Sequence, residues 1–174
     1  MSQIPIETPT ARGYQPPVTT QFSVFLDYRV GRLMDWLEVF DAASASTLAG
    51  LSVVDSADHA VVRLLTSNAA LARRLLNRCE HTFSEIDVVA VELPYENSLV
   101  SVCEVLTTVE LNIHYAYPLL VRPRGVPVVA LHTDDTTFAG QVLRKRHFTV
   151  LAENDLGENA PGSTPGTPNN PEDL

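Results

Sequence analysis

An α+β fold, with one small unit built twice, is what this sequence predicts, and three observations carry the prediction. The first is a self-match. Residues 61–83, slid forward by 67 positions, fall on residues 128–150 without a gap. Val61 and Val62 land on Val128 and Val129, Thr66 on Thr133, Ala72 on Ala139, Leu76 on Leu143 and Thr82 on Thr149. Internal repetition fixes the architecture before any single residue is read. The second is order: in each half, stretches of period two and period 3.6 follow one another as strand, helix, strand, strand, helix, strand. That is the βαββαβ order of a ferredoxin-like unit, an antiparallel sheet with two helices on one face. The third is that strand residues in the second half are apolar on both parities, Tyr115, Tyr117 and Leu119 as well as Ala116, Pro118 and Leu120. Both faces of that sheet therefore need cover. The bare face or edge of one unit is expected to pack on a second unit, within the chain or in a homodimer.

The elements follow in order. Residues 21–27 alternate, with Phe22, Val24 and Leu26 on one side of a strand. Residues 28–31 break it, and Leu33, Trp36, Leu37 and Phe40 then share one face of a helix. After the small-residue stretch 42–47, residues 48–54 form a second strand. Residues 55–58 form a turn, because Asp and Ser bond their own backbone there. Residues 60–65 are the third strand. Asn68 is a natural N-cap for a helix carrying Leu71, Ala72, Leu75, Leu76 and Cys79. Residues 88–93 are apolar and β-branched, a strand that either ends the first copy and begins the second as one piece or divides near Asp87. In the second copy Leu99, Val102, Cys103 and Leu106 repeat the first helical stripe. Strands are expected at 113–121 and 126–133, with Arg122, Pro123, Arg124 and Gly125 turning between them. Asp134 or Asp135 caps a helix with Phe138, Ala139, Val142 and Leu143, and 148–151 closes the unit.

Composition bounds the rest. Residues 1–19 and 157–174 are rich in Pro, Gly and polar residues and cannot bury enough apolar surface to offset ordering entropy, so both are expected to be mobile tails. The modules then span 20–87 and 88–156. A net charge of −9 excludes the basic face a nucleic-acid partner needs. The one basic run, Arg144, Lys145, Arg146 and His147, sits at an expected helix end, where cations complement the dipole. Cys79 and Cys103 make neither a metal spacing nor a disulfide framework. With no leader and no long apolar run, a soluble cytoplasmic protein that makes no membrane contact is expected.

The pattern resembles the ACT domain, a βαββαβ regulatory module, and in particular tandem ACT proteins. Residues 25–33, running Phe25, Leu26, Asp27, Tyr28, Arg29, Val30, Gly31, Arg32 and Leu33, are similar to the family's first strand and its Gly-containing turn into helix one. Residues 51–58 and 61–64 resemble its second strand, turn and third strand. In the second copy Val91, Glu92, Leu93 and Pro94 enter the module, and Leu111, Asn112 and Ile113 match the family's pattern after helix one. The resemblance implies an amino-acid ligand at an interface between modules, allosteric control, and no cofactor. Asp27 would hold the ammonium group. Tyr28, Arg29, Val30, Gly31 and Arg32 would cradle the carboxylate on free amides that glycine lets the ligand approach. Asn112 would add a contact from the second copy. Val30 stands where the family has Pro. The second copy's turn, Pro94, Tyr95, Glu96, Asn97 and Ser98, is shorter and lacks Gly, with Asn97 as a left-handed substitute.

No catalytic set emerges. His114 and His132 lack further ligands at metal spacing, Ser52 and Ser56 lack a nucleophile elbow, and phosphate-loop and dinucleotide motifs are absent. Tyr95, Tyr115 and Tyr117 suit half-wet interfaces. The expectation is a non-catalytic, amino-acid-binding regulatory protein, homodimeric or acting on a metabolic enzyme. The alternative is the regulatory subunit of an amino-acid biosynthetic enzyme such as acetohydroxy acid synthase.

Overall fold

In a computed structural model, the described residues are 17–157 apart from 28, 43–45 and 57–58. The elements are β1 (Thr19–Leu26), α1 (Arg32–Ala42), β2 (Leu48–Asp55), β3 (Ala60–Thr66), α2 (Ala69–Arg78), β4 (Phe83–Glu92), α3 (Ser98–Thr108), β5 (Ile113–Pro118), β6 (Val128–Thr133), α4 (Thr136–Lys145), β7 (Val150–Leu151) and a closing 3-10 turn (Glu153–Gly157). The tails expected from composition fall largely outside the described residues. Two residues assigned to the first of them do not behave as tail: Thr19 opens β1, and Pro17 is buried, its carbonyl 2.6 Å from where a Cβ on Gly140 would stand.

One strand serves both units. The strands run β2-β3-β1-β4-β6-β5, with β7 also on β4, and all pairings are antiparallel. β1 pairs with β4 over Phe83 to Val88, and β6 takes over from Val89 to Glu92. The first half of β4 is thus the last strand of unit one, and its second half is the first strand of unit two. The sequence suggested a strand only from residue 88, because Ser84, Glu85 and Asp87 are polar; they are also exposed. Prolines account for two shorter strands. β5 ends at Pro118 rather than running to 121, and β6 starts after Pro127, which has no N–H to give to a ladder.

Alternation along β4 separates three cores. Val88 and Ala90 point to one side, Val89 and Val91 to the other. Phe22, Val24, Leu26, Val62 and Leu64 pack under α1 and α2 with Trp36, Phe40 and Leu76. Val129 and Leu131 pack under α3 and α4 with Val102, Leu106 and Leu143. Between the two sheets lies a third cluster, in which Ala49, Leu65 and Val88 of unit one meet Tyr117, Leu119, Val121 and Ala130 of unit two, with Leu151 and Leu156. The bare faces therefore cover each other within one chain, giving helices, sheet, sheet, helices. Gly50 permits this contact: a Cβ there would come within 2.6 Å of Leu119 Cδ2.

Gln21, Tyr115 and Tyr117 pair their polar groups with one another in this layer. The Gln21 amide, fully buried, donates to the Tyr115 hydroxyl at 2.8 Å, and its carbonyl accepts from Tyr117 at 2.9 Å. Arg63 stacks 3.9 Å from the Tyr115 ring centre. The closing turn ties unit two back to unit one: the Glu153 carboxylate accepts from the Ala69 amide at 2.7 Å and so caps α2, while Leu156 is buried in the shared core.

The repeat holds in fine detail. α2 and α4 start and stop at equivalent positions, capped by Asn68 and Asp135, whose side chains accept from Leu71 and Phe138. Both helices end through residues in the left-handed region, Glu80 at φ 55° and His147 at φ 66°.

Candidate functional site

The turn from β1 into α1 is built around Gly31. The Arg32 amide donates to the Arg29 carbonyl at 3.2 Å, and the Asp35 amide opens the helix on the Gly31 carbonyl at 2.9 Å. Gly31 has φ +91°, a conformation that costs a residue with a side chain roughly 1–2 kcal/mol. Nothing lies within 4 Å of a Cβ built there, so the glycine is required by backbone geometry and not by crowding. Among the described residues no side chain or carbonyl takes the Leu33 and Met34 amides. They stand as free donors at the positive end of the α1 dipole.

This turn borders two cavities. The larger, about 920 Å³, is a groove running along α1 from Arg29 and Gly31 to Ser46, Thr47 and Leu48 at the start of β2. Leu33, Leu37 and Phe40 form one row of its wall and Met34, Glu38 and Asp41 the next row out. The Ser46 hydroxyl is buried and without a partner, a loss of up to about 1–3 kcal/mol unless a ligand takes it. The second cavity, about 360 Å³, lies on the other side of the turn, lined by Asp27, Arg29, Val30, Arg32 and the sheet residues Val53, Ala60 and Val62. Arg32 buries its Nε without a partner. Burial, with Arg32 nearby, holds His81 below its usual range.

The sequence-derived site residues divide accordingly. Arg29 and Gly31 line the groove, while Asp27, Val30 and Arg32 line the neighbouring cavity with Arg29. Tyr28 lies outside the described residues. Asn112 is not brought to either cavity: its side chain and backbone amides both donate to Asp134, at 2.8 and 3.0 Å. The reason is topological, because residue 112 lies just before β5 in unit two, whereas every described residue lining the groove belongs to unit one. Of the two interfaces left open for a ligand, within one chain or between two, the one within the chain is a packed core. Sequence reading missed Glu38, Asp41, Ser46 and Thr47. For Glu38 and Asp41 the one signal was the second row on α1, at positions 34, 38 and 41; Ser46 and Thr47, before β2, carried none.

The equivalent turn of unit two is tighter. Its cavity is about 210 Å³, lined by Glu92, Pro94, Tyr95, Asn97, Ser98, Arg146 and His147 among others. Asn97 has φ −93° and caps nothing with its side chain, so it is not a left-handed substitute for Gly31. The Ser98 hydroxyl accepts from the Tyr95 amide at 2.9 Å. Glu92 is neutralised by Arg124, whose Nε donates to it at 2.8 Å. Elsewhere His114 meets Asp134 at 2.6 Å, with the His132 ring 5.2 Å away. Asp134 is held down to about 2 by His114 and by the two Asn112 donors. No grouping of three or more metal-ligating side chains occurs among the described residues, and no described helix is long and apolar enough to cross a membrane.

Two ferredoxin-like units joined through a shared strand, with a glycine turn bordering a groove, define a paired ferredoxin-like module. The sequence pattern of the ACT domain pair family matches residues 18–160, and the chain belongs to that family. The crystal structure of protein BT0572 from Bacteroides thetaiotaomicron is similar, at 26% identity and a TM-score of 0.71 over 80% of this chain and 95% of that one. A regulatory subunit of aspartate kinase from Thermus thermophilus, in its ligand-free form, aligns at 10% identity and a TM-score of 0.49 over 75% of this chain and 91% of that one. No curated protein is significantly similar to the chain.

Proposed function

We propose that this protein is a non-catalytic regulator that binds an amino acid in the groove along α1. The observation that carries the reading is the convergence, along one cavity, of the positive-φ Gly31 turn, Arg29 and the first turn of α1 at Leu33 and Met34. A carboxylate placed at the α1 N-terminus would take the amides there and the positive dipole end. Arg29 would add a charged donor.

The units cannot slide past each other without opening their common core and breaking β4, so a response to ligand runs through the outer surface of unit one. There β2 pairs only with β3 over most of its length, although the Leu120 amide takes the Ala49 carbonyl at one end. An open edge of this kind is a ready template for another chain. A second copy seated there would close the groove, and ligand would shift the balance between free and paired forms. The exposed Val30 and Met34 beside that edge favour a second reading, in which the other chain is an amino-acid biosynthetic enzyme such as acetohydroxy acid synthase and this chain is its regulatory subunit. Capture of such an enzyme from an extract, or its failure to appear, separates the two.

The direct test is thermal shift with each of the twenty amino acids on the wild type and on Gly31→Val. The expected result is stabilisation by at least one amino acid, lost in the variant. Folded protein that responds to none of them would overturn the proposal.

A further inference from the structure

The groove is polarised along its length. From that polarity we infer that its ligand is a basic amino acid, one whose side chain ends in a cation, in preference to an apolar or acidic one. The inference rests on the amino-acid reading above.

At one end stand Arg29, Gly31 and the first turn of α1 at Leu33 and Met34, with the positive end of the helix dipole. At the other end Glu38 and Asp41 line the groove, and among the described residues neither has a cationic partner. Between the two ends the walls are apolar: Leu33, Met34, Leu37, Phe40 and Leu48. A carboxylate fits the first end, an aliphatic stem the middle and a cation the second. An apolar amino acid would leave both acids paired only with solvent, and an acidic one would place like charges together.

The lengths agree. Leu33 to Asp41 is eight helical residues, a rise of about 12 Å. In arginine six bonds separate the carboxylate carbon from the guanidinium carbon, about 7 Å when extended. With a C–O or C–N bond and a charge-assisted hydrogen bond of about 2.8 Å at each end the fully extended span is at most about 15 Å, enough to bridge that rise. Lysine spans nearly as much.

The test is calorimetric titration of the full chain with arginine, lysine, leucine and glutamate, on the wild type, on the double variant Glu38→Gln with Asp41→Asn, and on Gly31→Val. Both acids are exposed, so the double variant folds. Two exposed charge contacts of up to a few-fold each predict that arginine or lysine binds on the order of tenfold tighter than leucine. In the double variant that preference falls to near one, while leucine is unchanged. Leucine or glutamate binding as tightly as the basic pair, or a preference that survives the double variant, overturns the inference. Leucine binding that is equal to arginine's and is lost in Gly31→Val overturns it while leaving the amino-acid site standing. Absence of binding by all four, with no shift from any other amino acid, overturns both.

Discussion

Replacing Tyr117 by Phe and Gln21 by Leu, singly and together, tests whether the two units face each other as described. Gln21 is fully buried and Tyr117 is 6% exposed, and their hydrogen bond of 2.9 Å crosses between the sheets. Tyr117→Phe leaves the Gln21 carbonyl buried without a donor, which costs about 1–3 kcal/mol. Gln21→Leu leaves the Tyr117 hydroxyl unpaired for a similar cost, and also cuts the bonds to Tyr115 and to Ser23. The double variant removes both ends of the shared bond, so its loss should fall short of the sum of the single losses by about 1–2 kcal/mol. Urea unfolding followed by Trp36 fluorescence and by far-ultraviolet circular dichroism measures this. Trp36 sits in the core of unit one. Its transition should coincide with the overall loss of secondary structure, because the units share β4 and unfold together. Each single variant should lower Tm by a few degrees, at about 3 °C per kcal/mol for a body of this size. Additivity within about 0.5 kcal/mol, or two separate transitions, would refute the reasoning.

Three further outcomes follow from particular groups. Ser46→Ala removes a buried hydroxyl that has no partner, so the free protein should gain up to about 1 kcal/mol while its thermal response to amino acid weakens; a loss of stability without ligand would contradict this. The Asp134 carboxyl should titrate by NMR near 2 in the wild type, because His114 and Asn112 bond its ionised form. In His114→Ala it should move toward the ordinary value of about 3.9; a midpoint that does not move would count against that contact. Burial pushes the Tyr117 phenol well above its usual range, and burial pushes Tyr115 in the same direction. A raised folded-state pKa gives stability that is whole below the unfolded value of about 10 and is lost as pH climbs above it. Unfolding free energy should therefore fall above about pH 10, by up to about 1.4 kcal/mol per pH unit for each such phenol. Tyr117→Phe should flatten that slope, and an unchanged slope would contradict the burial.

Much of the fold was legible because the chain repeats. The 67-residue offset carries Asn68 onto Asp135 and Glu80 onto His147, so even caps and helix endings recur. The period-two patterns of β1 and β3 gave strands to within a residue or two. The first half of β4 was hidden because Ser84, Glu85 and Asp87 face solvent and carry no apolar signal. The mutual cover of the two sheets could be expected from the two-sided apolar strands of unit two. Whether it arose within one chain could not, because Tyr117 meets Gln21 across 96 positions of sequence. At the site, Gly31 announced itself through its neighbours, and the structure gives it positive φ. The acids of the groove did not. Glu38 and Asp41 read as the solvated side of a helix, and only the segment 46–48 leading into β2 turns that side into a wall.

The most direct test of the ligand site is a backbone amide NMR titration with the amino acid that stabilises the protein most. The account predicts that shifts concentrate at Gly31, Leu33, Met34, Leu37 and Ser46 to Leu48, with little change around Ser98 and His147. Shifts centred on the turn of unit two, or spread through the core between the sheets, would contradict it.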